Sequence, residues 1–176
     1  RANIDPILES IKNKFKKNPV FMQLPNSTGE NFSGVVDLID NHYVSYDKDG
    51  KGNGKTGEVP SDIKDEMEIS HADLMEAVAE VDDELIEIYL EQGELTEEEF
   101  SKGLKEGIEE GQLIPVLGGS ALHNIGVDLL LKAAIKYLPS PDLRAPVMAK
   151  RDDSEVACSA KGGKSAAGLV DRKSVV

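Results

Sequence analysis

The chain has 176 residues, with 20 Lys and Arg against 33 Asp and Glu and a formal net charge of -13. At 39% hydrophobic and 30% charged residues it is neither wholly disordered nor collagen-like, and its length suffices for one compact domain or a domain with a subdomain, burying roughly 70% of the unfolded surface. One cysteine, Cys158, and three scattered histidines, His42, His71 and His123, exclude an intrachain disulfide framework and a Cys/His metal site, and make a reducing, cytoplasmic compartment the default.

The N-terminal residues Arg1 to Asp5 lack the basic-then-apolar order of a secretion signal, and a start without methionine reads as a fragment. Residues 4 to 17 place Leu8, Ile11 and Phe15 at helical spacing among four lysines, and Asn18 with Pro19 stops that helix. The period then changes. Val20 to Leu24, Phe32 to Ile39 and His42 to Tyr46 are short β-prone runs, which predict a small antiparallel sheet. A glycine-rich loop, Asp47 to Gly57, follows, and Glu58-Val59-Pro60 is placed as a short edge strand.

From Glu58 to Glu110 there are 20 acids and 3 bases. Phosphate-backbone binding by this segment is disfavoured, because nucleic-acid affinity comes mainly from basic residues that displace counterions. Met67, Leu74, Val78, Val81, Leu85 and Ile88 recur at helical spacing, predicting one long amphipathic helix from Ser61 to about Leu90. Glu76, Glu80, Asp83 and Glu87 fall on its opposite face as an acidic stripe. Thr96 and Glu99 form a capping-box pattern, with Leu95 and Phe100 spaced as a hydrophobic staple. Phe100, Leu104 and Ile108 give the second helix a buried stripe, which ends at Gly111.

Leu113 to Leu117 is almost wholly apolar and predicts a strand buried on both faces of a larger sheet. A last helix, about Gly126 to Leu138, carries Val127, Leu130, Ala134 and Leu138 on one side and stops at Pro139-Ser140-Pro141. Lys150 to Val176 has no convincing period and reads as linker or tail.

Two motifs invite chemistry and fail on detail. Asp47 to Glu58 has the Asp, Gly and Glu spacing of an EF-hand loop, but Lys51 and Lys55 occupy ligand positions and the flanks are strands. Cys158 to Ser165 resembles the end of a P-loop but lacks the first glycine and a following helix. His71 with Asp73 reads as surface decoration on an acidic helix. No catalytic constellation or metal motif stands out.

Two further segments are specific. Met22 to Ile39 (MQLPNSTGENFSGVVDLI), then the acidic helices, then Gly119 to Leu131 (GSALHNIGVDLLL) and Tyr137 to Pro141 (YLPSP) together resemble bacterial elongation factor G over about residues 1 to 146. Tetracycline-resistance and peptide-release GTPases share much of the layout. The resemblance implies part of a P-loop GTPase-type α/β domain with an α+β insertion, a small antiparallel sheet plus acidic helices. Residues 1–19 and 111–146 would be the C-terminal half of the GTP-binding domain, 20–110 the inserted G-prime subdomain, and 147–176 linker or tail.

By the same resemblance Ser120 and Ala121 form the guanine-recognition loop, whose backbone N–H groups meet the base oxygen, and Leu122 packs by the base. Arg1 would follow directly on the Asn-Lys-x-Asp guanine motif. The whole protein would hydrolyse GTP with magnesium, whereas this fragment, lacking the P-loop, switch regions and magnesium ligands, would be inactive and hold no cofactor. Glu76, Glu80 and Asp83 would meet the basic C-terminal domain of the ribosomal stalk protein, with the ribosome as the larger partner and neither membrane nor direct nucleic-acid contact expected. The rival expectation is a free-standing acidic adaptor for a basic protein, without nucleotide chemistry.

Overall fold

A computed structural model of the chain describes residues 4–48, 50–143, 145–151 and 154–159. The readings that rest on Arg1 and on residues 160–176 lie outside them. Helix α1 (Ile4–Phe15) leads into β1 (Asn18–Phe21), followed by a meander of β2 (Gln23–Pro25), β3 (Gly34–Asp37), β4 (His42–Tyr46) and β5 (Gly54–Gly57). Three helices come next, α2 (Lys64–Ala79), α3 (Asp83–Gln92) and α4 (Glu97–Glu109), and then β6 (Leu113–Val116) and α5 (Val127–Tyr137). This is an α/β fold with small sheets, and the described residues up to Leu138 form one compact unit.

The β2–β5 meander is antiparallel in chain order, with Val35 opposite Val44 and Val36 opposite Tyr43. Successive side chains of a strand point to opposite faces, yet Val35 and Val36 are both fully buried. The sheet is covered on both sides. Leu24, Val36 and Leu38 join the main core with Leu74, Val78 and Leu104 of the helices, while Val35, Val44 and Tyr46 pack with Ile125 and Leu129 beside and within α5.

Several sequence expectations change at this level. The run Val20 to Leu24 is two strands in two sheets: β1 pairs in parallel with β6, Val20 opposite Pro115, while β2 pairs with β3. Met22 is the switch point, its N–H donating to the Val116 carbonyl at 3.0 Å and its carbonyl accepting from Leu38 N–H at 3.0 Å. The sheet edge is β5 rather than Glu58 to Pro60, because Gly54 to Gly57 pairs with β4 directly. Strand β6 buries Leu113 while Ile114, Pro115 and Val116 stay half-buried, since among the described residues it pairs with β1 alone.

The long acidic helix breaks after Ala79. Asp82 adopts an extended backbone and its carboxylate accepts from Glu84 N–H at 2.8 Å, an N-cap that starts α3 afresh. The break lets Leu85 join Leu74 and Val78 in one core. The Thr96–Glu99 capping box forms as expected, Leu95 and Phe100 are both buried, and Gly111 takes the left-handed conformation at φ +68°.

In α5 the expected inward stripe of Val127, Leu130, Ala134 and Leu138 is not the buried one. Leu129 and Tyr137 are buried, and Leu130 and Leu138 are exposed together with Ile135, which is 86% exposed. Asp128, Lys132 and Lys136 make one narrow polar stripe and apolar residues cover the rest of the helix, so periodicity left open which part of that broad apolar face would meet the sheet. From Pro139 on the described residues form a second compact unit. It holds an antiparallel hairpin, β7 (Val147–Arg151) and β8 (Ser154–Cys158), where the sequence reading placed linker or tail. Among the described residues no helix is long and apolar enough to cross a membrane.

Candidate functional site

The loop between β6 and α5 folds on itself. Ser120 N–H donates to the Ile125 carbonyl at 2.9 Å, and Ile125 N–H returns the bond to Ser120 at 3.0 Å. His123 N–H reaches Ser120 Oγ at 3.4 Å and Asn124 N–H reaches the Ala121 carbonyl at 3.4 Å. Ser120 therefore spends its N–H closing the turn, contrary to the expectation that it faces a base. Among the described residues the N–H groups of Ala121 and Leu122 donate to no backbone carbonyl. Both residues are exposed, Leu122 by 87%.

Two neighbouring unspent N–H donors can recognise a carbonyl oxygen on a planar ligand, with the Leu122 side chain as an apolar flank. The loop from Gly118 to Gly126 carries no lysine or arginine that could meet a phosphate. Among the described residues no cluster of three or more His, Cys, Asp or Glu could hold a metal ion. The EF-hand-like loop spends Asp47 on Lys55, whose ammonium lies 2.6 Å from its carboxylate.

The Ser120–Leu122 loop is held from below by the sheet. Ile125 is fully buried against Val35, Val44 and Tyr46. The Tyr46 hydroxyl donates to Asp128 Oδ1 at 2.7 Å in the first turn of α5. Burial, reinforced by that bond and by the Asp128 charge, holds the Tyr46 phenol well above its ordinary pKa. On the other side of the fold His71 is a strut rather than decoration, its Nδ1–H donating to the Leu38 carbonyl at 2.7 Å.

The acidic residues do not lie on one helix. Glu76 is in the last turn of α2, Glu80 is its C-cap, and Asp83 opens α3 beyond the break, all three exposed. Glu76 and Glu80 join Glu66 and Asp73 around a groove of about 530 Å³ floored by Phe21 and Leu74, and Asp83 stands outside it. The last turn of α2 has no basic residue. Glu76 and Glu80 thus sit against the negative end of their own helix dipole, a placement that costs about 0.3–1 kcal/mol per charge at exposed sites.

Sequence reasoning missed Tyr46, Asn124 and Asp128. Tyr46 carries a signal, alternation within a strand, whereas nothing in the pattern pairs it with a helix 82 residues away. No family model matches the chain. It is similar to a crystal structure of a protein from Thermus thermophilus, at 28% identity and a TM-score of 0.69, over 80% of this chain and 21% of that one. The chain thus spans about a fifth of that protein's length.

Proposed function

We propose that this chain is part of a translational GTPase similar to elongation factor G. In this reading β6, the Ser120–Leu122 loop and α5 belong to the GTP-binding domain, and the meander with α2, α3 and α4 is its inserted subdomain. The observation that carries the reading is the parallel pairing of β1 with β6. Everything from Met22 to Gln112 leaves one strand and returns to its neighbour, as an insertion between adjacent strands of one sheet would. When bound, GTP supplies the phosphoanhydride bond that the whole protein hydrolyses. Within this chain Ala121 N–H donates to the guanine carbonyl, Leu122 covers the base edge, and Ser120 holds the turn closed. Adenine presents an amino donor where guanine presents that acceptor, so the unspent N–H selects between them.

Glu76, Glu80 and Asp83 form the face for a basic protein domain, which the resemblance names as the C-terminal domain of the ribosomal stalk protein. The unfavourable placement of Glu76 and Glu80 at a helix C-terminus supports this, because a docked cation offsets that cost. Reversing all three to Lys should slow stopped-flow association with the purified stalk domain at least tenfold, while circular dichroism shows the same helix content. The wild-type rate should fall as salt rises, since exposed charges are screened beyond about 8 Å at physiological ionic strength. An unchanged rate in the triple variant would remove the acidic face from the proposal.

A further inference from the structure

The glycine-rich turn between β4 and β5 reaches across to the base loop. Asn124 Nδ2 donates to the Gly50 carbonyl at 3.0 Å. A Cβ at Gly52 would fall 2.5 Å from that same nitrogen, so the turn closes on the amide only because position 52 has no side chain. Gly52 also has φ +70°, which L side chains rarely adopt. Asn124 itself sits at φ +52°, in the left-handed region where Asn and Asp are the best-tolerated side chains. Its backbone N–H meets the Ala121 carbonyl at 3.4 Å. One residue thus links the donor residue of the loop to the tip of the hairpin.

We infer that Asn124 is a positioning residue whose side-chain amide clamps the Ser120–Leu122 loop to the β4–β5 turn, fixing the Ala121 N–H for a purine carbonyl. The purine role rests on the guanine reading of that loop, whereas the clamp does not. The chemistry requires a donor at position 124 rather than mere bulk. Aspartate has the size of asparagine and tolerates the same backbone, but an ionised carboxylate has no proton to give and faces the Gly50 carbonyl as a second acceptor. By linkage, a ligand that orders the loop also orders the turn.

The test uses the intact chain, labelled with ¹⁵N. In Asn124→Asp, amide exchange at Ser120 and Ile125 should rise at least about tenfold, while amides shared by β1 and β6 stay at wild-type rates. Asn124→Ala should behave alike, and Gly52→Ala should produce the same local loosening from the opposite side. Wild-type exchange in Asn124→Asp would overturn the clamp. A rise that includes β1 and β6 would overturn it too, by assigning Asn124 to global stability.

Guanosine at millimolar concentration supplies the second arm. It should shift the Ala121 amide in the wild type, adenosine should not, and its affinity should fall about three- to tenfold in Asn124→Asp, as expected when the competent loop is less populated. Equal affinity in wild type and variant would overturn the coupling to the base. A wild-type chain indifferent to guanosine would sink the guanine reading, with the exchange rates still deciding the clamp.

Discussion

Tyr46 shows how one hydroxyl ties two layers together. Its ring fills the small core between sheet and α5, and its proton satisfies Asp128 at 2.7 Å. Removing the hydroxyl in Tyr46→Phe leaves a half-buried carboxylate without its donor, so urea unfolding at neutral pH should show a loss of about 1.5–3 kcal/mol. The pH dependence follows from the raised phenol pKa. A group whose folded pKa lies above its unfolded value of about 10 contributes stability that is complete below that value and lost as pH climbs through the folded one. The wild type should therefore weaken in alkali and the gap to Tyr46→Phe should narrow by about pH 11. Tyr137, its phenol also raised by burial, keeps part of the alkaline loss in both proteins. A gap of constant size across that range would show that the Tyr46 proton is not the linked group.

Among the elements, α4 depends on side chains it lacks. Gly103 and Gly107 lie one turn apart on its buried face, and a Cβ at Gly107 would come within 2.7 Å of Leu113 Cδ1 and 2.8 Å of Val81 Cγ2. Gly107→Ala gains about 1 kcal/mol of helix propensity and loses about 1–3 kcal/mol to overpacking. Calorimetry should show a lower Tm, by about 2–4 °C for each net kcal/mol in a chain of this size. Gly57→Ala, with nothing near its added Cβ, is the control. A Tm at or above wild type in Gly107→Ala would show that Leu113 and Val81 yield freely. Neither glycine was legible as packing, because an absent side chain leaves no hydrophobic period. The rest of α4 was fully legible, from capping box to terminal Gly111, since those signals are local. The break at Asp82 was not: Met67 to Ile88 keep helical spacing across it, and an acidic residue serves equally as surface stripe or N-cap. The outward side of α5 was hidden for the converse reason, too many apolar residues rather than too few. At the candidate site Ser120 to Leu122 were singled out by resemblance alone, while the hydrogen bonds of Asn124 to Gly50 and of Tyr46 to Asp128 join partners far apart in sequence that no spacing encodes.

Among the described residues up to Leu138 the decisive feature is that the one parallel strand pairing, β1 with β6, closes around the meander and helices α2, α3 and α4. The meander forms from neighbours in sequence, and α2, α3 and α4 pack with their own neighbours, so both assemble at small loop-closure cost. The parallel pair must wait for them, because its ends meet only when the intervening chain is compact. This sets an order of events. Leu113→Ala, which empties a buried site at that closure, should destabilise by about 2–5 kcal/mol and do so almost wholly by speeding unfolding. Val36→Ala, in the middle of the meander, should slow folding instead. Stopped-flow chevrons for the two variants separate the cases, and a folding rate for Leu113→Ala that drops by its full destabilisation would mean the closure forms early. If it forms late, the segment from Met22 to Gln112 reaches its packed shape before its two ends are fastened, and the β1–β6 contact acts as the latch that governs how long the finished structure lasts.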